Sequence, residues 1–238
     1  MTLLSTMNKI VSDTVRGEGK VRNSKPRSRA LSNRRERRKL ATRQALLDAT
    51  QALLAKRSFD SLSVDDIVER ADVARGTFYN YFVDKDALER ELASQSRARI
   101  EAEIARVNEG IIDPPERIAR AFLSVLQLGI STPLQATAMM RLFPRATDPA
   151  APSNAGVRRD AVQGMTQGRI VATSEDAVVA CVMGVFTAGV NRALDLPPGR
   201  VREFAQGLGT ILLHGLGLKS AEAARIMRDA IKAILPRQ

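Results

Sequence analysis

Between Ser63 and Asp84 the chain reads SVDDIVERADVARGTFYNYFVD, and its start and stop signals lie too close together for any long element. Ser63 and Asp66 are spaced as a capping pair ahead of the apolar set Val64, Ile67 and Val68, which predicts a helix of about seven residues. Ala71, Asp72 and Val73 form a tight turn, and ARGTFYN starts another helix at once. Asp72 suits a left-handed backbone at the centre of that turn. Asp84, followed by Lys85 and Asp86, opens the next helix. Two short helices across a turn of three or four residues form a helix-turn-helix pattern. The same stretch crowds Phe78, Tyr79, Tyr81 and Phe82 into five residues, although the whole chain holds only seven Phe and two Tyr.

The flanking sequence is helical too. Asn33 and Glu36 are spaced as a capping box, and Leu40, Leu47 and Leu54 repeat every seven residues, predicting an amphipathic helix to about residue 56. From Asp84 a long helix is expected to about Asn108, carrying Leu88, Leu92, Ile100, Ile104 and Val107. Asp113-Pro-Pro-Glu116 and Thr132-Pro-Leu-Gln135 each combine a cap residue, a first-turn proline and a capping-box acceptor. Further helices are expected over 153–168, 174–194, 199–217 and 221–235, with a loop after Phe143. No β-alternation or internal repeat interrupts this pattern, so the expected fold is all-α.

Charge is distributed unevenly. The formal net charge is +11, yet residues 1–43 hold thirteen Lys and Arg against three Asp and Glu, and the remainder is nearly balanced. Residues 1–30 lack an apolar period and read as a disordered basic arm, either a plain solvated leader or a nonspecific phosphate binder. Cys181 is the single cysteine, which excludes a disulfide framework or a cysteine-rich zinc site and fits a reducing, cytoplasmic setting. Cys181 is expected to pack in its apolar run. The opening MTLLSTMNKI lacks an export-signal core, and the uncharged run from Ala177 to Asn191 is too short to cross a bilayer. No membrane partner is expected.

Residues 34–92, with SLSVDDIVERADVARGTFYNYFVDKDAL at their centre, resemble the DNA-binding domain of the TetR/AcrR family of bacterial transcriptional regulators. Asp72 stands where the family usually has Gly, and Val83 where a polar residue is common. The resemblance implies a helix-turn-helix domain over 31–83 joined to a ligand-binding and dimerisation domain over 84–238. It implies that Ser63 and Val64 begin the supporting helix beside the DNA backbone. Arg75, Gly76 and Thr77 would open the recognition helix in the major groove, with Asn80 on or near its outer side. Tyr79, Tyr81 and Lys85 would clamp phosphates, while Phe78 and Phe82 face the core.

The resemblance also implies a homodimer through the helices over 174–194 and 199–217. Val178, Val182, Val185 and Gly189, with Leu208, Ile211, Leu212 and Gly215, offer small and branched side chains for close helix contact there. Phe122, Leu126, Met139, Met140, Phe143, Met165, Met183 and Phe186 are either ordinary core or the soft lining of an adaptable apolar cavity. His214 reads as a packed, hydrogen-bonded side chain with no second histidine to complete a metal site, and no cofactor is implied. The expected function is a ligand-responsive repressor, nucleoid-associated, binding a palindromic operator in double-stranded DNA as a homodimer and released by a small, apolar effector. The alternatives are a DNA-coating protein without sequence choice, and an enzyme using the C-terminal cavity, for which no nucleophile–base pair or carboxylate dyad is present.

Overall fold

The computed structural model describes residues 26–142 and 151–235. Among the described residues there are ten α-helices, two 3-10 turns and no strand. The helices are α1 (Pro26–Leu54), α2 (Val64–Arg70), α3 (Arg75–Tyr79), α4 (Lys85–Val107), α5 (Pro114–Ser131), α6 (Pro133–Leu142), α7 (Ala155–Thr166), α8 (Glu175–Leu194), α9 (Pro198–Gly215) and α10 (Ser220–Ile234). The chain partitions into compact units at residues 1–42 and 43–238. The first is described only as the opening of α1, where the Thr42 hydroxyl donates to the Arg38 carbonyl at 3.0 Å.

That opening corrects two expectations. Helix begins at Pro26, so residues 26–30 are helical where an unstructured arm was expected, and Asn33 lies inside the helix instead of capping it. Proline is well suited to a first helical turn, and the Arg, Lys, Leu and Ala that follow are good helix formers that carry the helix through Asn33. Residues 1–25 of the expected arm lie outside the described residues. Leu40 is exposed, whereas Leu47 and Leu54 are buried.

Within residues 43–235 there are two apolar cores. The first gathers Leu46, Leu47 and Leu54 of α1, Ile67 and Val68 of α2, Phe78 of α3, Phe82 from the turn that follows it, Leu88 and Leu92 of α4, and Ala138 and Leu142 of α6. The second is built on α5, whose Ile118, Phe122, Leu123 and Leu126 are fully buried against α7, α8, α9 and α10. Each such Leu, Ile or Phe contributes about 1.5–3 kcal/mol of burial free energy. Helix α4 belongs to both regions, with Leu88 and Leu92 in the first core and Ile104 packed on the second.

Ion pairs tie the second region together. The Arg117 guanidinium donates to Asp160 at 2.9 Å and to the Ile111 carbonyl, joining α5 to α7. Arg169 donates to Asp113 at 2.8 Å and to Glu222 at 2.7 Å, and these bonds hold its guanidinium pKa above the ordinary value. Asp113 therefore flanks α5 without capping it by its side chain. Thr132 likewise donates to the Leu128 carbonyl at 2.8 Å, and Gln135 accepts from Arg99. The expected capping box at Asp113 is thus replaced by its ion pair with Arg169. Helix α8 is long and apolar enough to span a membrane by length and composition. Its Val178, Val179, Val182, Phe186, Val190 and Ala193 are buried, and all but Val190 join the second core.

Candidate nucleic-acid interface and cavity

Helix α2 begins with a complete capping box. The Asp66 backbone N–H donates to the Ser63 hydroxyl at 3.1 Å, and the Ser63 backbone N–H donates to the Asp66 carboxylate at 2.8 Å. The Ser63 hydroxyl and N–H, with Arg57, hold the Asp66 carboxyl far below the usual carboxylate range. Helix α2 ends in a Schellman arrangement: Val73 N–H reaches the Val68 carbonyl at 3.0 Å, and Asp72 N–H reaches Glu69 at 3.2 Å. Asp72 takes the required left-handed conformation at φ 54°, as its place in the turn predicted.

Helix α3 is held by its inner face alone. Phe78 is fully buried, stacking edge-on with Tyr79 at 5.3 Å and packing near Phe82 at 5.7 Å between ring centres. Its outer surface carries Arg75, Gly76, Tyr79 and Asn80, all exposed, with Thr77 half-buried. Ser63 is exposed at the start of α2, while Val64 and Tyr81 are half-buried against the first core. Arg75 donates to both oxygens of Asp65 at 2.7 Å, an exposed pair that stabilises little and releases readily. A Cβ on Gly76 would meet nothing within 4 Å, so packing inside the chain does not require glycine there.

Lys85 sits differently from expectation. Its ammonium donates to the carbonyls of Leu62 at 2.9 Å and Phe59 at 3.1 Å, and lies 4.7 Å from the Phe59 ring centre. The side chain fastens the Phe59–Ser61 turn to α4, leaving only backbone N–H groups of this helix start for an outside anion.

Two adjoining cavities lie along α4. One, of about 110 Å³, is predominantly apolar and is lined by Ile104, Val125, Met139, Met140, Met183, Phe186, Val190 and others, with Arg97 and Glu101 at its wall. The other, of about 200 Å³, is more polar, with Gln44, Gln51, Gln95, Arg99 and Gln135 among its lining, and shares Ile100, Val125 and Met139 with the first. Met139, Met140, Met183 and Phe186 line the first of these cavities. Phe122 and Leu126 are core beneath it, Met165 packs on the core away from it, and Phe143 lies outside the described residues. Arg97 was not singled out, because at helical spacing from Glu101 it reads as part of a solvated face.

The surface of α8 and α9 also differs from the expected set. Val178, Val182, Gly189 and Leu212 are buried within the chain, and Val185 and Leu208 are half-buried. Gly189 is needed inside: a Cβ there would come within 2.7 Å of the Phe122 ring. Ile211 and Gly215 are exposed, as are Ala177, Cys181 and Ala188, with Gly184 between them half-buried. Cys181 is therefore a surface thiol and not a packing residue. His214 is exposed, its Nδ1 lying 2.9 Å from the Leu218 carbonyl and able to donate to it.

Residues 46–92 match the family described as bacterial regulatory proteins, tetR family. The HTH-type transcriptional repressor KstR of Rhodococcus jostii is 33% identical over 101 residues, a stretch covering 42% of this chain and 47% of that protein. KstR of Mycolicibacterium smegmatis is 33% identical over 109 residues, covering 46% and 51%. The match spans about half the length of these curated relatives. Among solved structures, RolR without ligand is 25% identical with a TM-score of 0.51, covering 78% of this chain and 96% of that one. A gamma-butyrolactone receptor (ArpA-like protein) is 17% identical with a TM-score of 0.62, covering 82% and 97%, a likeness of fold. The geometry and these likenesses define an all-α protein with an N-terminal helix-turn-helix domain and a C-terminal helical domain. Within that N-terminal domain, residues 46–92 carry the helix-turn-helix segment of the tetR family of bacterial regulatory proteins.

Proposed function

We propose that this protein is a ligand-responsive transcriptional repressor that binds a roughly palindromic operator as a homodimer and is released by a small, largely apolar effector in the cytoplasm. The observation that carries this reading is α4, which contributes Leu88 and Leu92 to the helix-turn-helix core and Ile100 and Ile104 to the cavity. A ligand that favours one position of the cavity end of α4 shifts the seat of α3. It can do so only through its different affinity for the two arrangements.

On the DNA side, Arg75, Thr77 and Asn80 read the major groove, and Tyr79, Tyr81 and Ser63 meet phosphates together with the backbone of Val64 and Lys85. Gly76, which costs about 1 kcal/mol in a helix relative to Ala, serves close approach of the backbone to DNA. Homodimerisation uses the exposed small-residue face of α8 and the Ile211–Gly215 edge of α9. Two recognition helices held this way would address half-sites a helical turn or more apart. Repression is supported by the repressor relatives, and a small effector by the RolR fold relative in complex with resorcinol.

The test is selection of bound sequences from a random duplex pool with full-length protein at near-physiological salt. Recovery of a palindrome supports the reading. Binding of all duplexes alike would replace it with a coating protein driven by the basic N-terminal end.

A further inference from the structure

The apolar cavity is lined by an arginine whose own Nε has no hydrogen-bond partner among the described residues. Arg97 is half-buried on α4, and its Nε is shut off from water with no hydrogen-bond partner among the described residues. Glu101, one turn further along and also on the cavity wall, is exposed and makes no ion pair with Arg97 within 4 Å among the described residues. The rest of the lining is mostly hydrocarbon and thioether, Ile104, Val125, Met139, Met183 and Phe186 among it, with the hydroxyl residues Ser153 and Thr187. Withholding a partner from a buried guanidinium N–H destabilises the empty protein, since its lost hydration is not replaced. A guanidinium on the wall of a mostly apolar pocket is the group best suited to a planar carboxylate.

We infer that Arg97 is the anchor for an acidic effector: a small monocarboxylate whose apolar body lies among Met139, Met183 and Phe186 and whose carboxylate accepts from the Arg97 guanidinium. This rests on the reading of the cavity as the effector site. The cavity of about 110 Å³ is near the size of an engineered cavity of about 150 Å³ that takes up benzene, so the body is one ring or a short alkyl chain. Its position also supplies a route for the signal. Arg97 lies five residues beyond Leu92 on α4, about 7.5 Å along the helix, so charge pairing at Arg97 acts on the helix that seats the DNA-binding core.

The test uses full-length protein and two matched pairs of probes, benzoate with benzamide and hexanoate with hexanamide, in titration calorimetry and thermal denaturation. Wild type should bind the acids about tenfold or more tighter than the amides. Arg97→Gln should abolish that preference, Arg97→Lys should keep part of it, and ligand-free Arg97→Met should melt no lower than wild type. Equal binding of acid and amide, or an acid preference that survives Arg97→Gln, overturns the acid anchor while leaving the cavity as an effector site. Binding of neither probe type overturns the anchor and the cavity reading together. A lower melting temperature for ligand-free Arg97→Met would assign Arg97 a structural role and overturn the anchor alone.

Discussion

At the scale of single residues, the helix-turn-helix segment separates side chains that build the fold from side chains left for a partner. Phe78 and Phe82 are spent on the core, whereas Tyr79 is half exposed beside Arg75 and Asn80. Tyr79→Phe should weaken binding to every duplex by roughly the worth of one hydrogen bond to a charged group, about tenfold. Thr77→Ala should instead change the ranking of operators; fluorescence anisotropy on selected and scrambled duplexes separates the two effects. Asp72 holds a left-handed backbone that glycine adopts without a Cβ penalty. Asp72→Gly should therefore raise the unfolding free energy by about 0.5–1 kcal/mol, read from urea melts. The turn and the four aromatics were legible because each residue type answers a local demand. Lys85 was misread because the carbonyls that capture it come from the Phe59–Leu62 segment, over twenty residues earlier.

Elements show the same division. The Ser63–Asp66 box formed as its spacing predicted, since both partners sit within one turn and no outside group competes. Ser63→Ala should cost about 1 kcal/mol in urea melts at neutral pH. Because the Asp66 pKa is lowered on folding, its contribution is full above the unfolded carboxylate pKa of about 3.9 and disappears as pH falls through the lower folded value. The stability gap between wild type and Asp66→Asn should thus be constant from pH 7 to about 5, begin to narrow near pH ~4 and go on narrowing as the pH falls towards the lower folded value. A gap independent of pH would contradict the capping role. The similar motif at Asp113 had the same local spelling and still lost its side chain, to Arg169. A capping pattern proposes a bond that a charged partner brought in by packing can displace.

At the scale of the whole molecule, α8 has two apolar faces, and sequence periodicity could not assign them. Val178 and Val182 turned inward, leaving Ala177, Cys181 and Ala188 exposed, with Gly184 between them. Small residues allow close backbone approach between helices, which suits a helix–helix interface. If the proposed homodimer forms through this face, Ala188→Glu should leave only monomer in sedimentation velocity while leaving the circular dichroism spectrum helical, because the side chain meets no core atoms in the protomer. A dimer that persists in Ala188→Glu places the interface elsewhere.

What the amino-acid sequence determined by itself was local: the all-α class, the bounds of α2 to α4, the left-handed turn at Asp72 and the outward residues of α3. These follow from interactions within a few residues, which spacing and residue type encode directly. The inward faces of α8 and α9, the capture of Lys85 and Asp113, and the burial of the Arg97 Nε were decided by tertiary structure. Each depends on which distant side chains arrive at the same place, and a carboxylate, an ammonium or a guanidinium takes the partner that packing brings within reach.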